Sequence, residues 1–310
     1  MRVGAKARIE YSLARLLLSF GRLLPRSGAE ALGRIAGDLA YRLGRRQRRV
    51  ALRNLEMALP GLSIPAREAI VRGVFESLGR LLAEFSQFPG LTRENIPLIV
   101  EYDGLEHYVG ARQLGRGVLF LTAHVGSWEL SSFAHALYGF PMHFLTRPID
   151  NPLVERLVTR YRTMSGNSVI GRSQAARDVL RSLAEKETVG ILIDQNTTES
   201  EGVFVDFFGI PAATTTGLAS LALRTEAPVV PGFIRWDRER QKHILEFQPP
   251  VELVRTGDRR TDILRNTQRF NDVIEAFVRR YPDQWLWIHK RWNTRPDGET
   301  SLYASTDRGA

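Results

Sequence analysis

The chain has no cysteine among its 310 residues. That absence excludes a disulfide framework and a thiolate nucleophile, and it permits a reducing compartment without requiring one. Also missing is the run of roughly 20 uninterrupted apolar residues that a membrane-spanning helix needs. The most apolar N-terminal segment, IEYSLARLLLSFGRLL at 9–24, is interrupted by Arg15 and lacks a small-residue cleavage site, so no secretory signal is expected. No G-x-S-x-G elbow presents a serine. The sequence has no H-E-x-x-H, and His107, His135, His143, His243 and His289 form no recognisable ligand set, so neither metal nor cofactor is expected. Internal repeats and low-complexity tracts are absent as well. Acidic residues are in deficit, 34 Asp+Glu against 43 Lys+Arg, for a formal charge of +9. Such a surface favours nucleic acid, an anionic membrane or an acidic protein partner.

What is present reads as globular. A hydrophobic fraction of 43% and a charged fraction of 25% are ordinary, and the length suits one large domain or two small ones with a sizeable core. The first ninety residues are expected to be helical, over 9–24, 28–43, 47–58 and 65–87, with Pro60, Gly61 and Pro65 punctuating the last break. Ile9, Leu13, Leu16, Leu17, Phe20 and Leu24 share one broad face of the first helix, and Arg8, Arg15 and Arg22 recur beside it. That pattern suits a helix lying in a membrane interface; packing on the protein's own core is the alternative. RRQRR at 45–49 is either a solvated face or a contributor of about 1 kcal/mol per arginine near an anionic leaflet.

After Pro89 short apolar runs alternate with helical ones. Strands are expected at 97–102, 117–123, 141–146, 168–170, 188–193, 228–235 and 243–247. Helices are expected near 105–114, 127–138, 151–165, 173–185, 214–225 and 260–281. The alternation predicts an α/β fold with a mixed, mostly parallel central sheet flanked by helices. The organisation expected is a helical membrane-associating region at 1–90, an α/β domain at 91–293 and a loose polar tail at 294–310.

Five stretches carry candidate chemistry. In VLFLTAHVGSWEL, 118–130, a buried strand delivers His124 to its carboxyl end, where ligands of open α/β sheets bind. Gly126 permits a sharp turn there, and Ser127 can cap a helix beginning at Trp128. Glu129, across the turn, can fix the imidazole tautomer and leave the other nitrogen as a base. With no Ser or Cys nucleophile signature, the group to be deprotonated is then the substrate's own hydroxyl. In VGILIDQNT, 189–197, Asp194 ends a second strand and is the rival partner for His124; the plainer reading is a turn residue. RPIDNPLVERLVTRYRTMSG, 147–166, brings Arg147, Arg160 and Arg162 to one helix, as phosphate or oxyanion ligands or as a solvated face. VDFFGIPAATTTG, 205–217, reads as a Gly-Pro loop and a Thr-rich helix start, a weak anion site. YPDQWLWIHKRW, 281–292, holds three tryptophans; core packing is the commonest reading, with headgroup anchoring and base stacking behind it.

These stretches, together with APVVPGFIR and in this order, resemble the bacterial lipid A biosynthesis acyltransferases, the late lauroyl/myristoyl transferases of the lysophospholipid acyltransferase superfamily. The hallmark His-x4-Asp/Glu stands here as His124-Val-Gly-Ser-Trp-Glu129. The resemblance runs from about residue 45 onward; the single motif is weak and the ordered set is strong. It implies transfer of a fatty acyl group from acyl-acyl carrier protein to a hydroxyl of a glycolipid, with His124 as general base and Glu129 in its relay pair. Related enzymes orient the histidine from the position that Asp194 matches, so both carboxylates stay open. Arg162, in YRTMSG, is implied to steady the oxyanion or an acceptor phosphate, and Trp128 to pack beside the acyl chain. The expected setting is the cytoplasmic face of the inner membrane. Residues 9–24 are less hydrophobic than the family's usual anchor, which favours interfacial attachment over spanning. Rival expectations are another acceptor (a phosphatidylinositol mannoside, lysophospholipid or aminolipid), an acyl-CoA donor, or a non-enzymatic binder of anionic membrane or nucleic acid. The last predicts His124 far from both carboxylates; no nucleic acid partner is expected.

Overall fold

The computed structural model describes residues 4–171 and 174–307. Four helices come first: α1 (Ala5–Leu23), α2 (Arg26–Leu43), α3 (Arg45–Ala58) and α4 (Ile64–Gln87). RRQRR forms the first turn of α3. Ser63 caps α4, accepting from the Ala66 amide, and Pro65 sits where a first-turn residue needs no donor. Among the described residues no helix is long and apolar enough to cross a membrane.

The chain then alternates through β1 (Val100–Asp103), α5 (Leu105–Gln113), β2 (Val118–Thr122), α6 (Trp128–Leu137), β3 (His143–Thr146), α7 (Pro152–Thr163), β4 (Ser168–Gly171), α8 (Ala175–Ala184) and β5 (Thr188–Leu192). After β5 come β6 (Gly202–Phe207), β7 (Ile210–Thr215), α9 (Gly217–Thr225), β8 (Val229–Asp237), β9 (Lys242–Phe247), α10 (Arg259–Arg280) and the short α11 (Ala304–Asp307). The seven strands expected from the sequence are those of one seven-stranded sheet, ordered β1-β9-β8-β2-β5-β3-β4. Every neighbouring pair is parallel except β8–β9. The start of the predicted 173–185 helix and the last three residues of the tail lie outside the described residues.

Alternate residues of β2 serve opposite cores, as the two-residue strand period requires. Leu119 and Leu121 join Val50, Leu55, Val71 and Phe75 of α3 and α4 on one face. Val118 and Phe120 join Leu18 of α1, Phe85 of α4 and Phe133 of α6 on the other. The N-terminal helices therefore share both cores with the sheet. A buried ionic cluster ties them to it. Arg26 donates to both oxygens of Glu84 at 2.8 and 2.6 Å, and His243 on β9 reaches Oε1 at 2.9 Å.

Two sequence expectations are corrected. The stretch 205–217 is no loop: β6 and β7 form an antiparallel hairpin, and α9 begins at Gly217 rather than 214. The tail is not loose up to residue 307. Tyr303 is fully buried, donates to Asn54 Oδ1 on α3 at 2.6 Å and accepts from the Trp292 amide at 3.2 Å. One aromatic in a polar stretch is enough to pin it.

Candidate active site

The site sits where the sheet splits. β2 and β5 pair over their whole lengths, from Val118↔Thr188 to Thr122↔Leu192. On its other side β5 meets β3 only at His143↔Val189 and Phe144↔Gly190. Beyond that pair the two strands part, and a cavity of about 620 Å³ opens in the fork. Its walls come from both faces of the sheet: Phe120, Met142 and Phe144 on one side, Ile191, Leu218 and Leu221 on the other. The volume suits a small-molecule or acyl-sized ligand.

His124 and Asp194 stand at the lip. Each lies two residues beyond the last paired position of β2 and β5, Thr122↔Leu192, so register sets them abreast. His124 Nδ1–H donates to Asp194 Oδ1 at 2.8 Å, and the His124 amide donates to Oδ2 at 2.9 Å. The indole N–H of Trp285 completes the shell, donating to Oδ2 at 2.8 Å. Burial alone would raise the Asp194 pKa; the His124 charge and these hydrogen bonds outweigh it and hold the carboxyl down at about 2. An ionised Asp194 can only accept, which puts the imidazole proton on Nδ1 and leaves the Nε2 lone pair free to act. Nε2 faces the cavity, where the Gln195 side-chain amide donates to it at 3.3 Å.

The loop after β2 is held from behind. Gly126 has φ +56°, and a Cβ there would meet the Ile234 carbonyl oxygen at 2.4 Å, so only glycine fits. YPDQWLWIHKRW runs alongside it. The Gly126 amide donates to Gln284 O at 2.8 Å, the Leu286 amide to His124 O at 3.1 Å, and Val125 bridges Trp285. Trp285, Trp287 and Trp292 are all buried, so headgroup anchoring and base stacking are ruled out; all three pack in the core, and Trp285 also holds Asp194. His289, pushed down to about 4 by burial, accepts from the Asn196 amide at 3.0 Å.

The other expected residues divide. Glu129, in the first turn of α6, does not touch His124. It faces Arg162 on α7, whose Nε donates to it at 2.8 Å and whose Nη2 makes a second, shorter contact. Burial would weaken the Arg162 charge, but the Glu129 bond and charge outweigh that and raise its pKa. Both side chains line the cavity, as do Trp128, whose ring stands edge-on to His124 at 5.2 Å, and the exposed Arg147 at the mouth. Ser127 occupies the N-cap position of α6, but its hydroxyl makes no cap bond; it is buried without a partner and outside the cavity lining. Trp285 and Gln195 were missed as site residues. IDQNT placed Gln195 beside the second strand end, which is the only signal for it; for Trp285 only the crowding of tryptophans hinted at a special segment. Among the described residues, no group of three or more His, Cys, Asp or Glu could hold a metal ion.

Fold and site together define an α/β enzyme that presents polar groups at the lip of a largely apolar cavity. The chain belongs to the bacterial lipid A biosynthesis acyltransferase family, whose model matches residues 7–294. It is an acyltransferase. A lipid A biosynthesis lauroyltransferase of Escherichia coli (strain K12) is 31% identical over 273 residues, 88% of this chain and 87% of that one. A lipid A biosynthesis palmitoleoyltransferase of the same organism is 30% identical over 273 residues, with the same coverage of 88% and 87%. A lipid A biosynthesis acyltransferase of Haemophilus influenzae (strain ATCC 51907 / DSM 11121 / KW20 / Rd) is 28% identical over 269 residues, 86% of this chain and 83% of that one.

Proposed function

We propose that this enzyme transfers a fatty acyl chain from an acyl carrier protein thioester to a hydroxyl of a lipid A precursor, in one direct step. The observation that carries the reading is the orientation of His124: Nδ1 is fixed by Asp194 while Nε2 opens on the apolar cavity. The acceptor hydroxyl displaces the Gln195 amide from Nε2 and gives up its proton there as its oxygen attacks the thioester carbonyl. The new C–O bond forms, the C–S bond breaks, and the proton passes from Nε2 to the departing thiolate. Asp194 stabilises the transient imidazolium. Arg162, steadied by Glu129, serves the developing oxyanion or an acceptor phosphate, and Arg147 meets phosphate at the mouth.

The reading extends to where the enzyme works. Ile9, Leu13, Leu16, Phe20 and Leu23 of α1 and Ile35, Leu39 and Leu43 of α2 are exposed, beside the exposed Arg8, Arg15 and Arg22. Two amphipathic helices with arginines at the rim support seating in an interface, on the cytoplasmic face of the inner membrane.

The test is the mass of the lipid made by purified enzyme from acyl carrier protein thioester and lipid A precursor, run beside acyl-CoA and other lipid acceptors. One added acyl group on the precursor is expected, and its loss in His124→Ala. Full activity in that variant would sink the mechanism. Faster acylation of another acceptor, or faster use of acyl-CoA, would overturn the substrate assignment.

A further inference from the structure

Two glycines lie inside strands next to the same aromatic ring, and they are not alike. At Gly232 on β8, a Cβ would collide with Phe120 at 2.2 and 2.3 Å, so glycine is there to let the ring lie across the strand. At Gly190 on β5, the nearest atoms an added Cβ would meet are the Met142 sulfur at 3.5 Å, the His143 carbonyl oxygen at 3.7 Å and Phe120 at 3.8 Å. These are ordinary contacts, and the backbone is not left-handed. Nothing in the packing or the chain geometry calls for glycine at this position. In a strand interior glycine weakens the sheet, and one without a packing reason marks a close approach by something else.

That something has a place. Gly190 lines the cavity, and it belongs to the last residue pair that β3 and β5 share before they separate. It is the vertex of the fork. Its register partners are Phe120 on β2 and Phe144 on β3, so three strands bring a gap between two phenylalanines to one level. We infer that the missing side chain of Gly190 sets the depth of the acyl pocket, the methyl end of the acyl chain resting on that vertex. The inference rests on the acyl transfer proposed above and deepens it.

The depth follows from the strand. Phe120 is level with Gly190, and His124 lies four residues further along, which at ~3.3 Å per residue is about 13 Å. An extended alkyl chain advances about 1.3 Å per carbon, so that depth holds an acyl group of about ten to twelve carbons. Any side chain at position 190 raises the floor, and any truncation at Met142 lowers it.

The experiment is a donor profile. Acyl carrier protein thioesters of eight to sixteen carbons are presented to the parent enzyme and to Gly190→Ala, Gly190→Val and Met142→Ala, with thermal unfolding of each measured alongside. Gly190→Val is expected to move the preferred donor two to four carbons shorter. The ratio of its kcat/KM for the parent's preferred donor to that for the shorter ones should fall about tenfold or more. Met142→Ala is expected to move the profile towards longer donors. Gly190→Ala is expected to unfold at the parental temperature or above while discriminating against the longest donors, a combination that a purely structural glycine does not give. If Gly190→Val fails to fold, the opposite shift in Met142→Ala still decides. An active parent whose profile moves in none of the folded variants overturns the depth assignment alone. A parent that uses no carrier-protein donor overturns the reaction on which it rests.

Discussion

Asp194 accepts three hydrogen bonds on two oxygens: the imidazole N–H, the His124 amide and the Trp285 indole. An amide in its place cannot accept all three, and it loses the charge that faces the imidazolium. Asp194→Asn is expected to lower kcat by about 10³-fold with little change in KM, as for other His–Asp pairs. Parental kcat in steady-state assays would remove Asp194 from the mechanism. The same carboxyl ties stability to pH. Its folded pKa, about 2, lies below the ordinary aspartate value of 3.8. Its contribution is therefore complete above about pH 4 and is lost as pH falls through the folded value. Urea unfolding of the parent should show a steeper loss of stability below pH 4 than Asp194→Asn; equal slopes would contradict the assignment. The sequence brought both carboxylates forward but could not choose between them. The choice lies in the register of two strands whose key residues are 70 positions apart, and no local pattern records that two strands are neighbours. Glu84 and His243 were invisible for the same reason: each reads as an ordinary strand or helix residue until the fold buries them against each other.

At the level of elements, period and composition were legible wherever one face of a helix or strand meets one environment. The apolar face read for the first helix is the face α1 exposes, with Leu23 in place of Leu24, while Leu18 and Gly21 turn inward. The matching face on α2 went unread, because three apolar residues spaced four apart do not stand out among its alanines and glycines. Together these faces make a prediction. Leu16 and Leu39 are 68% and 52% exposed, so Leu16→Glu with Leu39→Glu should leave the unfolding temperature unchanged. Binding to anionic vesicles in a flotation assay should fall at least about tenfold. Unaltered flotation would exclude this face as the docking surface. The β6–β7 hairpin was hidden by its turn. Phe208 and Gly209 both have positive φ, 57° and 76°, a geometry usually announced by Asn-Gly or Asp-Gly. A phenylalanine there gives no such sign.

Over the whole molecule, the excess of nine positive charges acts beyond any single contact. The proposed donor, an acidic carrier protein, would be drawn to such a surface, and added salt would screen the attraction. The kcat/KM for the carrier-protein donor should fall several-fold between low and high ionic strength, mostly through KM. A profile flat in salt would argue against a charged donor protein. Seven strands and their approximate limits could be read from the sequence; their order could not, since the sheet is assembled from segments that only the closed fold makes adjacent. That closure bears on how the protein is made. The dyad's two residues are joined to the growing polypeptide well before Trp285 and the backbone of Gln284 and Leu286 that brace them, and before Tyr303, which fastens the tail to α3. A ribosome that has translated as far as β9 has made the N-terminal helices and the histidine but not the brace. In the order of synthesis, the exposed apolar faces of α1 and α2 come first, and a chain cut short before residue 285 keeps those faces without the indole that holds Asp194.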